Sequence, residues 1–191
     1  LENHPEGTLL VDLGTNGELM LKGKNGFFAT SCATGPAFEG ASLSCGMQAI
    51  PGAINRVKIE GLQNLPEYSL INQSTSSRTK PSGVCGTGVI SAVAQFLKKD
   101  IIAPGGLFNK KDNIPSLQNA NPGKVHYILA SKDDSSDGKV IFISQKDIRS
   151  VQLGKSALIT GIEFLLKEAG FDRPEKIIIA GAFGTFLDKG D

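Results

Sequence analysis

Val11-Asp12-Leu13-Gly14-Thr15-Asn16-Gly17-Glu18 decides how the rest of the chain is read. An apolar run from Thr8 to Leu13 (TLLVDL) stops at Gly14, and a second run resumes from Glu18 to Lys22. The Asn16-Gly17 pair between them is a strong hairpin signal, because such turns need backbone conformations that Asn and Gly adopt cheaply. In a glycine-bearing turn, successive N–H groups can converge into a nest for an anion, with Thr15 and Asn16 adding side-chain donors. The strand delivers the Asp12 carboxylate to the same place, and a lone carboxylate beside a phosphate nest suits Mg²⁺, which takes oxygen ligands and keeps most of its waters. An ordinary Asn-Gly hairpin, with Asp12 as a turn acceptor, fits these residues equally well.

Outward from this hairpin, Phe27 to Thr30 extends the meander by a third strand, and Cys32 to Ala53 reads as a loop with a short helix. Val57 to Glu60 and Tyr68 to Asn72 are short strands, followed by a polar loop from Gln73 to Gly83. Val89 to Lys99 has helical composition, and 103–144 reads as a peripheral excursion carrying strands at Val125 to Ala130 and Lys139 to Ser144. The clearest helix runs from Gln145 to Ala169. Ser144 and Asp147 fit a capping box at its start, Ile148, Val151, Leu158, Ile162, Leu165 and Ala169 form one apolar face, and Gly170 is its stop. Lys176 to Ala180 is an all-apolar strand after its first residue, expected to be buried on both faces.

Two further glycine turns could serve a ligand. Gly181-Ala182-Phe183-Gly184 follows the last strand, where glycine permits a flat ligand to approach the backbone. Gly86-Thr87-Gly88 opens a helix, where free amides and the helix dipole favour an anion. The spacing is neither that of a Walker A loop nor GxGxxG. Each turn reads equally well as tight packing without a ligand.

Composition narrows the classes. Twenty basic residues against nineteen acidic ones give a formal net charge of +1, which leaves no excess for a nucleic-acid backbone or an anionic membrane. Aromatic content is 6% with no Trp, too little for stacking on single strands. No apolar run approaches the roughly 20 residues needed to span a bilayer. Cys32, Cys45 and Cys85 lack CxxC spacing, and only His4 and His126 could join them as soft ligands, so they read as reduced thiols of a cytoplasmic protein.

The order of the segments VDLGTNGE, SCATGPAFEGA (Ser31 to Ala41), GVCGTG, IRSVQLGKSALITGIEFLL and IIIAGAFG closely resembles the C-terminal ATPase region of reductive activators of corrinoid proteins. The resemblance covers the chain from about Leu9 to Asp188. It implies an α/β fold, with 1–191 as the second, ribonuclease-H-like half of an actin/Hsp70/sugar-kinase-type ATPase, a mixed sheet flanked by helices. It further implies ATP and Mg²⁺ as cofactors and a corrinoid protein as partner, restored to Co(I) by an electron from an iron–sulfur domain that has no counterpart in this chain. A homodimer is left open. By position, Asp12 (catalytic, and on Mg²⁺ through water), Gly14, Thr15, Asn16 and Gly17 resemble the second phosphate hairpin. Gly181, Ala182, Phe183 and Gly184 resemble the adenosine motif, and Gly86, Thr87 and Gly88 would contribute to the same cleft. The chain departs from the family at Ala182, where Gly is usual, and at Gly154-Lys155, where Ala-Lys is common. Glu39 is a further polar candidate, or else a loop carboxylate capping free amides. The chain is expected to be a fragment that does not catalyse alone, since half of a phosphate clamp cannot hold developing charge. A small-molecule kinase of the same fold and a non-catalytic partner-binding module are the alternative readings. The kinase would need a general base, and no His or Asp stands out for that role.

Overall fold

In β1 (Thr8–Leu13), Leu9 and Val11 are buried while Asp12 is exposed, the two-residue alternation of a strand with one covered face. β2 (Gly17–Gly23) repeats it with Leu19 and Leu21, and β3 (Gly26–Cys32) completes the meander. The computed structural model describes residues 1–14, 16–61, 65–71, 79–109, 114–121, 124–188 and 190. Thr15 and the loop residues Gln73 to Arg78 lie outside the described residues, as does Asn72.

The remaining elements are β4 (Ala53–Glu60), β5 (Leu65–Leu70), β6 (Gly83–Val84), α1 (Gly86–Lys98), β7 (Leu117–Asn121), β8 (Lys124–Ala130), β9 (Ile141–Ser144), α2 (Gln145–Ala169), β10 (Lys176–Ala180) and α3 (Gly181–Thr185). A 3-10 turn at Pro36–Glu39 precedes β4. One sheet has the order β10-β1-β2-β3, with β10 parallel to β1 and the others antiparallel. Two three-stranded sheets, β5-β4-β6 and β7-β8-β9, form the lobe inserted between β3 and α2.

Two apolar cores result. The smaller joins Leu9, Val11, Leu19 and Leu21 to Leu165 and Leu166 of α2. The larger joins Ile54, Val89, Phe96, Tyr127 and Ile143 to Ile148 and Val151 at the other end of the same helix. Leu158, midway, packs against both. The segment expected as a peripheral excursion therefore supplies Tyr127, Leu129, Ile141 and Ile143 to the main core.

The long helix has the expected bounds, and its capping box is present. Asp147 is 1% exposed. Its Oδ2 accepts from the Ser144 amide at 2.8 Å, and its Oδ1 from the Ser44 amide at 2.8 Å. One carboxylate thus caps α2 and fastens the loop after the 3-10 turn to it. Gly170 ends the helix at φ 74°.

The expectation that β10 is buried on both faces is corrected. Ile177 and Ile179 are 54% and 49% exposed. β10 stands at the edge of its sheet, and α2 lies across β2 and β3 rather than over it.

Candidate functional site

Parallel pairing of β1 with β10 sets Asp12 opposite Ala180, so both strands end side by side and their glycine turns emerge together. Gly181 has φ +83°, and a Cβ there would collide with Asp12 Oδ1. Glycine is thus required twice over at this position, by backbone conformation and by the neighbouring carboxylate. Beyond the turns lies a cavity of about 840 Å³ between the two lobes. Leu13 and Gly14 line it from the end of β1 and its turn, Phe183 and Phe186 from α3 and its end, and Asn55 and Thr87 from the inserted lobe.

The turn after β1 is held shut by two bonds. The Gly14 amide donates to the Asn16 carbonyl at 3.1 Å, and Thr34 Oγ1 donates to the Gly14 carbonyl at 2.9 Å. Opposite, the loop after the 3-10 turn closes on itself where Gly40 and Gly46 meet. A Cβ on Gly40 would strike the Met47 backbone, and one on Gly46 the Gly40 carbonyl. This closure sets Glu39 and Met47 into the cavity wall. Phe38 and Phe183 stack across it with centroids 5.8 Å apart.

Of the residues singled out in the sequence, Gly14, Gly86, Thr87, Phe183 and Glu39 line the cavity. Asp12 is exposed beside Gly181 at its rim. Asn16 is exposed, and Gly17 is buried where a Cβ would meet Leu158 and Thr34. Gly86 packs against the Phe38 carbonyl and Gly88 against the Ile54 carbonyl, so both positions need glycine for backbone packing whatever else they touch. Gly184 lies against Ile179. Ala182 is in α3, with its side chain outside the described residues. Lys155 is exposed on α2, whereas Gly154 and Gly161 pack against Phe38 and Cys32.

The lining is mostly apolar, and none of the described lining residues is Lys or Arg. Arg56 pairs instead with Asp188 just outside. The Gly190 amide, then the charges of Arg56 and Lys98, hold the Asp188 carboxyl below the usual range. The three cysteines are unpaired thiols. Burial pushes the Cys32 and Cys45 thiols up, which favours their protonated form. Cys85 faces the cavity, its Sγ 3.3 Å from the Ile54 carbonyl. Among the described residues, no three His, Cys, Asp or Glu side chains gather as a metal cluster. No helix among them is long and apolar enough to cross a membrane.

Asn55 is the functional candidate that the sequence did not reveal. It sits in β4, where the pairing with β5 runs from Ile54 opposite Leu70 directly to Arg56 opposite Ser69. The skipped residue is Asn55, a bulge that turns its side chain out of the ladder. Nothing in Ala53-Ile54-Asn55-Arg56-Val57 announces a bulge, because it depends on where β5 pairs.

A meander, a crossing helix and a parallel fourth strand, with two glycine turns opening on one interlobe cavity, define an ASKHA-type α/β domain, the class of the acetate and sugar kinases, Hsp70 and actin. Within it, the chain belongs to the family described as the C-terminal domain of RACo, the ASKHA domain, which residues 6–191 match. It is 37% identical to the corrinoid activation enzyme RamQ of Eubacterium limosum, over 94% of this chain and 30% of that protein. To the [Co(II) methylated amine-specific corrinoid protein] reductase of Methanosarcina barkeri it is 32% identical, over 98% of this chain and 34% of that one. Among solved structures, a reductive activator for corrinoid, iron-sulfur protein superposes with a TM-score of 0.84 at 33% identity, covering 98% of this chain and 29% of that chain. The chain thus spans about a third of the length of these relatives.

Proposed function

We propose that this chain is the nucleotide-binding part of a cytoplasmic, ATP-dependent reductive activator that returns a corrinoid protein from Co(II) to Co(I). The observation that carries the reading is the meeting of the Asp12–Gly14 turn and the Gly181 turn at one cavity. Family membership and the named roles of the relatives support the corrinoid partner.

The residues present fit a magnesium nucleotide. Aromatic and aliphatic walls, with no Lys or Arg among the described lining residues, suit a nucleoside, and glycine backbone at Gly14 leaves room for phosphate oxygens. The hairpin of Gly14, Thr15, Asn16 and Gly17 would hold phosphates through groups other than the Gly14 amide, which the Asn16 carbonyl takes, with the buried Gly17 shaping the turn. Asp12 would hold Mg²⁺ through water, a role one exposed carboxylate can fill. Phe183 and Gly181 to Gly184 would flank the nucleoside. Bound ATP supplies binding energy that differs between open and closed arrangements of the protein, and only that difference can shift the population between them. The electron, one per cobalt, is proposed to come from an iron–sulfur centre outside these residues and to pass to Co(II), giving Co(I).

The test is reduction of a Co(II) corrinoid protein by the intact activator with a low-potential donor, with and without ATP. Asp12→Ala is expected to abolish the ATP-dependent rate while circular dichroism and the melting curve stay unchanged. A fully active Asp12→Ala variant would remove Asp12 from the site.

A further inference from the structure

We infer that Asn55 reads the base of the bound nucleotide, taking the amino edge of adenine and discriminating against guanine. The inference rests on the nucleotide reading of the cavity and adds the residue that sets its specificity.

Three observations converge on Asn55. Its Oδ1 is buried without a hydrogen-bond partner, the one such side-chain atom among the described residues. The β4 bulge takes the residue out of the strand pairing, and the residue lines the cavity. The third is place, a junction of two cavities, the smaller of which is also lined by the Arg56–Asp188 pair. Asn55 and Thr87 lie where the 840 Å³ cavity meets a second one of about 190 Å³, at Phe186. Leu13 and Gly14, the turn proposed for phosphate, line only the larger of the two.

An unpaired buried carbonyl oxygen is costly, and a ligand or ordered water that completes it removes the cost. A carboxamide presents an acceptor and a donor side by side. Adenine offers the complementary pair, its N6 amino group with an adjacent ring nitrogen, which is the pairing by which Asn reads adenine elsewhere. Guanine presents two acceptors, O6 and N7, on the corresponding Hoogsteen edge. Phe186 supplies flat apolar surface at the same junction, and Phe183 lines the larger cavity.

The experiment compares ATP and GTP binding by calorimetry on the intact protein, for the wild type, Asn55→Ala and Asn55→Asp. Because Asn55 Oδ1 makes no internal bond, Asn55→Ala is expected to keep the melting temperature and lose only discrimination. The wild type should favour ATP over GTP by at least tenfold. Asn55→Ala should weaken ATP about tenfold and bring the ratio close to one. Asn55→Asp presents two acceptors, which suit the N1 and N2 hydrogens of guanine, and should move the ratio toward GTP. If Asn55→Ala and Asn55→Asp both keep the wild-type ratio while ATP still binds, the assignment of Asn55 is overturned and the nucleotide cavity stands. If the wild type binds neither nucleotide, the cavity reading and this inference fall together.

Discussion

Tyr127 shows how far a single side chain can report on the core. It is fully buried, with its ring 4.5 Å from that of Phe96. Burial pushes its phenol from an ordinary 10.0 up to about 12, against the opposing hydrogen bond with Ser116. A folded-state value above the unfolded one means that the fold favours the neutral phenol. Its contribution is complete below pH 10 and is lost as pH rises toward 12, on the order of 2–3 kcal/mol in all. In a Tyr68→Phe background, the phenolate absorbance of Tyr127 should therefore rise together with loss of the fold. Ionisation of Tyr127 near pH 10 in a chain that is still folded would contradict this account.

At the scale of elements, α1 separates a packing role from a ligand role. Gly88 was read from sequence as part of a ligand turn or as tight packing, and a Cβ there would meet the Ile54 backbone and stand 3.0 Å from Val84 Cγ1. Backbone cannot swing aside as a flexible side chain does, so Gly88→Ala should destabilise the chain by ~1–3 kcal/mol. For a chain of this size that is a fall of roughly 2–4 °C in melting temperature per kcal/mol. An unchanged melting curve would contradict the packing role. The same element scale shows what could be read in advance. β1, α2 and β10 have their expected bounds because each carries its own signals: Gly14 as a stop, Ser144 with Asp147 as a cap, Gly170 as a terminator. The exposure of β10 was not readable from Ile177-Ile178-Ile179, because a strand's burial depends on which helix lies over it. The bulge at Asn55 escaped for the same kind of reason, being a property of two strands and not of one.

Across the whole molecule, α2 is the common beam. Its first turns anchor the inserted lobe through Ile148, Val151 and the Asp147 tie to Ser44, and its last turns anchor the β1–β2 sheet through Leu165 and Leu166. The cavity lies where the two lobes face each other, so its shape depends on how this helix spaces them. The family resemblance implied that the β1 and β10 turns serve one cleft, and the parallel register of Asp12 with Ala180 brings them together in space. Which residues of the inserted lobe complete the wall was not legible, since Phe38, Met47 and Asn55 reach it through loop closure and a bulge.

The central claim is that this interlobe cavity takes a nucleotide, and an amide-resolved NMR titration of the chain with Mg-ATP tests it most directly. Saturable shifts at Gly14, Gly17 and Phe183, with none at the Gly170 to Arg173 turn before the far end of β10, are the expected result. Saturation that leaves Gly14 and Phe183 unmoved, or that shifts residues elsewhere, would contradict the account.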